Sequence, residues 1–135
     1  MDRDCGVASP RSIYPMPPVA DYETNDLLVR QVEGVTIVRV RYPNLDGLLE
    51  IQRITAELDA LLARGVRKLV FDFKYVTHAG SAALGLLIAL QRKIDARGGT
   101  LVLSHAERVE ELLTVSRTAS LFKRAPDPRA AFKMF

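Results

Sequence analysis

From residue 27 to about residue 104 the chain alternates between two periodicities, and this alternation limits the possible folds more than any single motif does. Short runs rich in β-branched residues are separated by longer stretches in which Leu and Ile recur every three and four positions. Strands that alternate with helices of 10–20 residues call for right-handed crossovers and a largely parallel sheet. The start departs from that pattern. Leu27 to Val32 and Val35 to Val40 are separated only by Glu33-Gly34, which predicts a β-hairpin and so an antiparallel part of a mixed sheet. Pro43-Asn44 then breaks the strand.

The remaining elements follow from spacing. Leu48, Ile51, Ile54, Leu58, Leu61 and Leu62 predict an amphipathic helix of about four turns, with Asp46 as its N-cap and Gly65 as its stop. Lys68 to Phe73 is a buried central strand. Ser81 to Arg97 is a second helix whose inner face carries Leu84, Leu87, Ile88, Gln91 and Ile94, and Gly98-Gly99 ends it. Thr100 to Leu103 is a further strand. Glu107 to Ser116 is a third helix burying Val109, Leu112 and Leu113. A short extended piece near Leu121 to Arg124 and a last helix after Pro126 or Pro128 close the chain. The expected class is α/β, a mixed sheet with an opening hairpin and parallel strands, flanked by about four helices.

At 135 residues and 48% apolar composition the chain fits one domain with one ordinary core. Residues 1–26 hold four of the seven prolines, with two basic and five acidic side chains. They read as a flexible acidic tail, with a short extended piece at its end and Ile13, Tyr14 and Met16 as docking points. Residues 27–135 hold 17 basic and 11 acidic side chains. The basic residues are scattered, there is no Trp, and basic and aromatic residues do not interleave, so nucleic acid is not the expected partner. The single Cys5 excludes an internal disulfide and a Cys-based zinc site. The first residues lack the apolar core of a secretory signal, and the longest apolar run, Ala82 to Leu90, is too short to span a bilayer. The expectation is a soluble, cytoplasmic protein without membrane insertion.

The candidates for chemistry are few. His78 and His105 both follow strands, where open α/β sheets place their sites. No carboxylate or cysteine stands at ligand spacing from them, and a Ser81–His78 pair lacks a third member, so neither a metal site nor a catalytic residue is expected. Asp72 lies six residues before His78 and would orient it only by chance of folding. Gly80-Ser81-Ala82-Ala83-Leu84-Gly85 opens a helix but is neither a P-loop nor G-x-G-x-x-G, and no cofactor is expected. Ser81 reads first as a helix N-cap.

The stretch Asp72-Phe73-Lys74-Tyr75-Val76-Thr77-His78-Ala79-Gly80-Ser81-Ala82-Ala83-Leu84-Gly85-Leu86-Leu87 resembles the signature of STAS domains, the anti-sigma factor antagonists. The family pattern is roughly D-F-S-G-V-x-φ-I-D-S-S-G-L-G-x-L, with φ apolar, and it aligns without a gap. Arg97-Gly98-Gly99-Thr100-Leu101-Val102-Leu103 resembles the family's G-G-x-L-x-L turn and strand. Val109-Glu110-Glu111-Leu112-Leu113 followed by Leu121-Phe122 resembles its next helix and closing strand. The likeness covers about residues 27–135.

The resemblance implies a protein-binding module that docks on an anti-sigma factor kinase and frees a sigma factor. Docking would use Thr77, His78, Gly80, Ser81, Ala82 and Ala83, after the central strand and at the start of the second helix. Other signalling proteins are the alternative partners, and a homodimer is a further assembly. A second implied role is a scaffold or accessory subunit of a signalling, transport or lipid-trafficking complex. The chain departs from the pattern where the family has Asp-Ser-Ser-Gly and this chain has Gly80-Ser81-Ala82-Ala83. The serine that the kinase phosphorylates is Ala82 here. Ser81, and more weakly Thr77, are the substitute phosphorylation candidates. The usual apolar residue at position 78 is His78.

Overall fold

A computed structural model describes residues 21–135. The expectations for residues 1–20, Cys5 included, lie outside the described residues. The chain forms β1 (Tyr22–Glu23), β2 (Leu27–Val32), β3 (Val35–Val40), β4 (Asn44–Leu45), α1 (Leu48–Ala63), β5 (Lys68–Asp72), β6 (His78–Ala79), α2 (Ser81–Ala96), β7 (Thr100–Ser104), α3 (Glu107–Val115), β8 (Lys123–Ala125) and α4 (Pro128–Phe132). A six-stranded sheet has the order β1-β2-β3-β5-β7-β8. β1, β2 and β3 are antiparallel, and β3, β5, β7 and β8 are parallel. This is the expected mixed sheet with four helices. β1 is the short extended piece expected at the end of the tail, and it pairs with β2, so that it and the buried Asp26 join the folded domain that sequence began at residue 27.

The hairpin turn shows why the antiparallel start is encoded locally. Glu33 has φ 48° and Gly34 has φ 85°, so both turn residues are left-handed. That is the backbone of a type I′ turn, whose twist matches the twist of the flanking strands, and glycine adopts it without a Cβ clash.

Side-chain alternation assigns the two sheet faces. Leu69, Phe71, Leu101 and Leu103 point to one side, where Ile54 and Leu58 of α1, Leu87 and Ile94 of α2, and Val109 and Leu113 of α3 complete the main core. Val70 and Val102 point to the other side, under Ala131 of α4. β5 is therefore buried on both faces, as its unbroken apolar run requires.

Two helix readings are corrected. The N-cap of α1 is Gly47, not Asp46, and no side chain caps that end. Leu48, expected in the core, is 66% exposed in the first turn. On α2 the buried stripe is Ala83, Leu86, Leu87, Leu90 and Ile94, while Leu84, Ile88 and Gln91 are only half-buried. A helix that is apolar on more than half its circumference leaves its inward phase to the sheet it packs on, and the sheet selects the face centred near Leu87 and Leu90.

At the entry to β2, Asp26 accepts from Arg53 Nε and NH2 of α1, both at 3.1 Å, and from the Tyr42 hydroxyl at 3.2 Å. The Arg53 guanidinium holds the Asp26 carboxyl below the usual carboxylate range, against the opposing effect of burial. Burial, and then the Asp26 charge, push the Tyr42 hydroxyl up.

Leu87 is fully buried, so Leu87→Ala is expected to lower stability by about 2–5 kcal/mol in urea unfolding. Asp26→Asn is expected to cost about 1–3 kcal/mol at neutral pH. A lowered folded pKa stabilises above the unfolded value near about 3.9, and this contribution disappears as pH falls through the folded value. The stability gap between Asp26→Asn and the native protein should therefore shrink below about pH 4. Urea titrations at pH ~7 and ~3 check it.

Candidate functional site

The site rests on a polar row at the C-terminal ends of the parallel strands. Register places Arg39 of β3 beside Asp72 of β5, and Asp72 beside Ser104 of β7, on one face of the sheet. Asp72 has 0% exposure, and a buried carboxylate persists only when donors surround it. Arg39 Nε donates to its Oδ2 at 2.5 Å. Ser104 Oγ donates to Oδ1 at 3.0 Å, and His105 Nδ1 lies 2.7 Å from the same oxygen. His105 has φ 49°, a left-handed conformation uncommon outside glycine, and its ring bond to Asp72 helps to hold it there. The Tyr75 ring lies 5.6 Å from the Arg39 guanidinium and 5.7 Å from the Lys74 ammonium. Asp72 thus engages His105, while His78 is exposed. A charge closing an otherwise apolar strand was the available signal, and Arg39 in the neighbouring strand was its overlooked partner.

The loop that leaves Asp72 returns through β6. The amides of Thr77 and His78 donate to the Pro43 carbonyl at 2.8 and 3.1 Å, and the Gly80 amide donates to the Leu45 carbonyl at 3.4 Å. β6 pairs in parallel with β4, Asn44 with His78 and Leu45 with Ala79. Both short strands run directly into helices, so α1 and α2 begin side by side. Sequence marked neither strand, because two residues show no periodicity.

The structure separates the six residues expected at the docking surface. Thr77, His78 and Ser81 are exposed. Gly80 is half-buried and caps α2 with an extended backbone (φ −107°, ψ −168°). Ser81, expected to be the cap, is instead the first helical residue, and no side chain caps that end. Its hydroxyl is not drawn back onto the helix amides. Ala82 is half-buried against the core, and Ala83 is fully buried, so Ala83 supports the surface from beneath. The Asp46 carboxylate lies over Gly80, so closely that a Cβ on residue 80 would collide with it. Where the resembling pattern carries an aspartate at position 80, this chain has glycine, with the carboxylate of Asp46 against it.

Two further parts of this surface were missed by sequence. Leu48 and Leu49, 66% and 67% exposed, sit in the first turn of α1 beside the start of α2. On the other side an open groove of about 510 Å³ separates Thr77, His78 and Ala79 from Glu107, Glu111, Leu112 and Val115 of α3. Leu112, expected to be buried, is half-buried along this groove. The sequence signal was the valine at the end of α3, beyond the inward stripe of Val109 and Leu113.

The family model described as STAS domain matches residues 26–131. Among solved structures, an anti-sigma factor antagonist from Mycobacterium paratuberculosis superposes with a TM-score of 0.69 at 22% identity, covering 80% of this chain and 91% of that one. An anti-sigma-factor antagonist (STAS) domain protein from Planctomyces limnophilus gives 0.68 at 21%, covering 81% and 97%. The Bacillus cell fate determinant SpoIIAA in its phosphorylated form gives 0.63 at 15%, covering 81% and 99%. At these identities the likeness is one of fold. No curated protein matches the chain.

Removing one partner of a buried pair leaves the other uncompensated, so Asp72→Ala is expected to cost about 3–5 kcal/mol. A double-mutant cycle with Arg39→Ala should give a coupling energy of about 0.5–3 kcal/mol, measured by urea unfolding of the four proteins.

Proposed function

The chain belongs to the STAS domain family, and from that premise we propose that it is a binding module of the anti-sigma factor antagonist type. It docks on an anti-sigma factor kinase in the cytoplasm and frees a sigma factor, and it carries no chemistry of its own. Among the described residues no helix is long and apolar enough to cross a membrane.

The observation that carries this reading is the surface where α1 and α2 begin. Leu48 and Leu49 stand exposed in the first turn of α1 and Ser81 in the first turn of α2, with exposed Thr77 and His78 just before it. Two adjacent leucines in water at the start of a helix do nothing for the fold. Buried in a complex, each supplies the apolar area that stabilises an interface, while the polar residues around them set specificity. The shared fold supports the reading, since solved neighbours include anti-sigma factor antagonists.

The switch is altered. A phosphate adds about −1.5 to −2 charges at pH 7 and disrupts a docked apolar surface by repulsion and desolvation. SpoIIAA, of the same fold, has been solved in a phosphorylated form. Here the matching position is Ala82, half-buried and without a hydroxyl. The protein then behaves as a permanently unphosphorylated, binding-competent antagonist. Ser81 is the nearest hydroxyl and is exposed, so it is the residue that the experiment must watch. The hydroxyl of Thr77 lies 3.5 Å from the Pro43 carbonyl, at the limit of hydrogen bonding.

The test is incubation with an anti-sigma factor kinase from the same organism and ATP, read by mass spectrometry beside an Ala82→Ser variant. The expected result is a phosphorylated variant, an unmodified native protein, and a native complex that persists in ATP. Stoichiometric phosphate on native Ser81 with loss of binding would overturn the altered-switch reading. Ser81→Glu is expected to weaken the complex about tenfold or more, by placing charge in the interface.

A further inference from the structure

The groove between β6 and α3 has a chemistry unlike the rest of the domain. Residues 27–135 carry 17 basic against 11 acidic side chains, yet the α3 wall of the groove presents exposed Glu107 and Glu111. The third glutamate of that helix, Glu110, faces elsewhere and is held by Arg124 at 2.8 Å. Past the two acids the same wall turns apolar. Val115 is 76% exposed, and Leu112 is half-buried beside it. Glu107, Glu111 and Val115 are spaced four residues apart, so they form a stripe with steps of about 6 Å along the helix.

The opposite wall decides how an occupant is read. Of the four amides from Thr77 to Gly80, three are bonded back to Pro43 and Leu45. At most the Ala79 amide is left to pair with an added strand. Recognition therefore runs through side chains and not through β-augmentation.

We propose that this groove receives a basic, apolar segment of a protein partner. The segment places two Lys or Arg side chains, about one helical turn apart, against Glu107 and Glu111, and an apolar side chain against Val115 and Leu112. The apolar contact holds the complex, and the charge pairs set orientation and partner choice. The acidic wall disfavours nucleic acid and anionic lipid surfaces, whose phosphates it repels. This inference rests on the docking reading for its location, since His78 and Thr77 belong to both surfaces, and it adds the chemistry of the partner's segment.

The probe is a fluorescent helical peptide of about 18 residues, long enough to keep some helix alone, with Lys and Leu at helical spacing. A control peptide carries Glu for Lys. Both are titrated into the full native chain, with backbone amide shifts recorded by NMR. The Lys peptide is expected to bind with its shifts centred on residues 77–79 and 107–115, and to weaken about tenfold between about 0.05 and 0.3 M salt. Glu111→Lys is expected to weaken it about tenfold and to strengthen the Glu peptide, and Val115→Asp to remove much of the apolar contact. Both positions are exposed, and native-like amide spectra confirm the fold of each variant. Absent binding, shifts centred elsewhere, or affinities in both variants within about twofold of native would overturn the proposal. The measurement contains no kinase. Failure of the docking reading shows separately, as a native protein that forms no complex with an anti-sigma factor kinase.

Discussion

One buried carboxylate organises the C-terminal ends of the parallel strands, from which the candidate surface is built. Asp72 has no contact with water, and its charge is met by three groups from two neighbouring strands: the Arg39 guanidinium of β3, and the Ser104 hydroxyl and His105 ring at the end of β7. An unmet carboxylate at that depth would cost more than the small net stability of a domain this size can absorb. The ends of β3, β5 and β7 are therefore held in one register. A slip of one residue would turn Arg39 and Ser104 to the opposite face and leave the charge alone among leucines. The two segments that build the candidate surface leave from this point. The 73–80 loop starts one residue after Asp72, and His105 stands just before α3. The surface is fixed because its two origins are fixed.

A second constraint sits above the first. The two-residue strands β4 and β6 pair side by side and hand the chain directly to α1 and α2. Asp46 and Gly80 meet across that junction, and their closeness leaves no room for a side chain at position 80. The chain can therefore lack the aspartate of the family pattern at that position and still hold a carboxylate at the junction, supplied from the other strand. What it does not replace is the hydroxyl at position 82. The junction keeps a carboxylate, while position 82 carries the methyl group of Ala82 in place of the hydroxyl of the resembling pattern.

Much of the fold was legible because its signals are local. Glu33-Gly34 between two β-branched runs specifies a hairpin, and Pro128, whose ring suits a first helical turn, opens α4. Other features depended on partners far away in sequence. Asp46 and Ser81 both look like caps, yet two glycines took that role. The short strand pair fixes an extended backbone at residues 47 and 80, and Asp46 faces the neighbouring strand instead of its own helix. Leu48 and Leu112 fit the spacing of inward stripes, but each lies just beyond the area that the sheet can cover. The partners of Asp72 come from positions 39, 104 and 105, and only the sheet order brings them together.

If partners meet this domain where α1 and α2 begin, amide hydrogen exchange of the protein, alone and with an anti-sigma factor kinase, will show it. Exchange in the complex is expected to slow over residues 47–52 and 77–85, while α4 and the β2–β3 hairpin exchange as in the free protein. Slowing confined to α4 and the sheet face that it covers, with residues 47–52 and 77–85 unchanged, would contradict it.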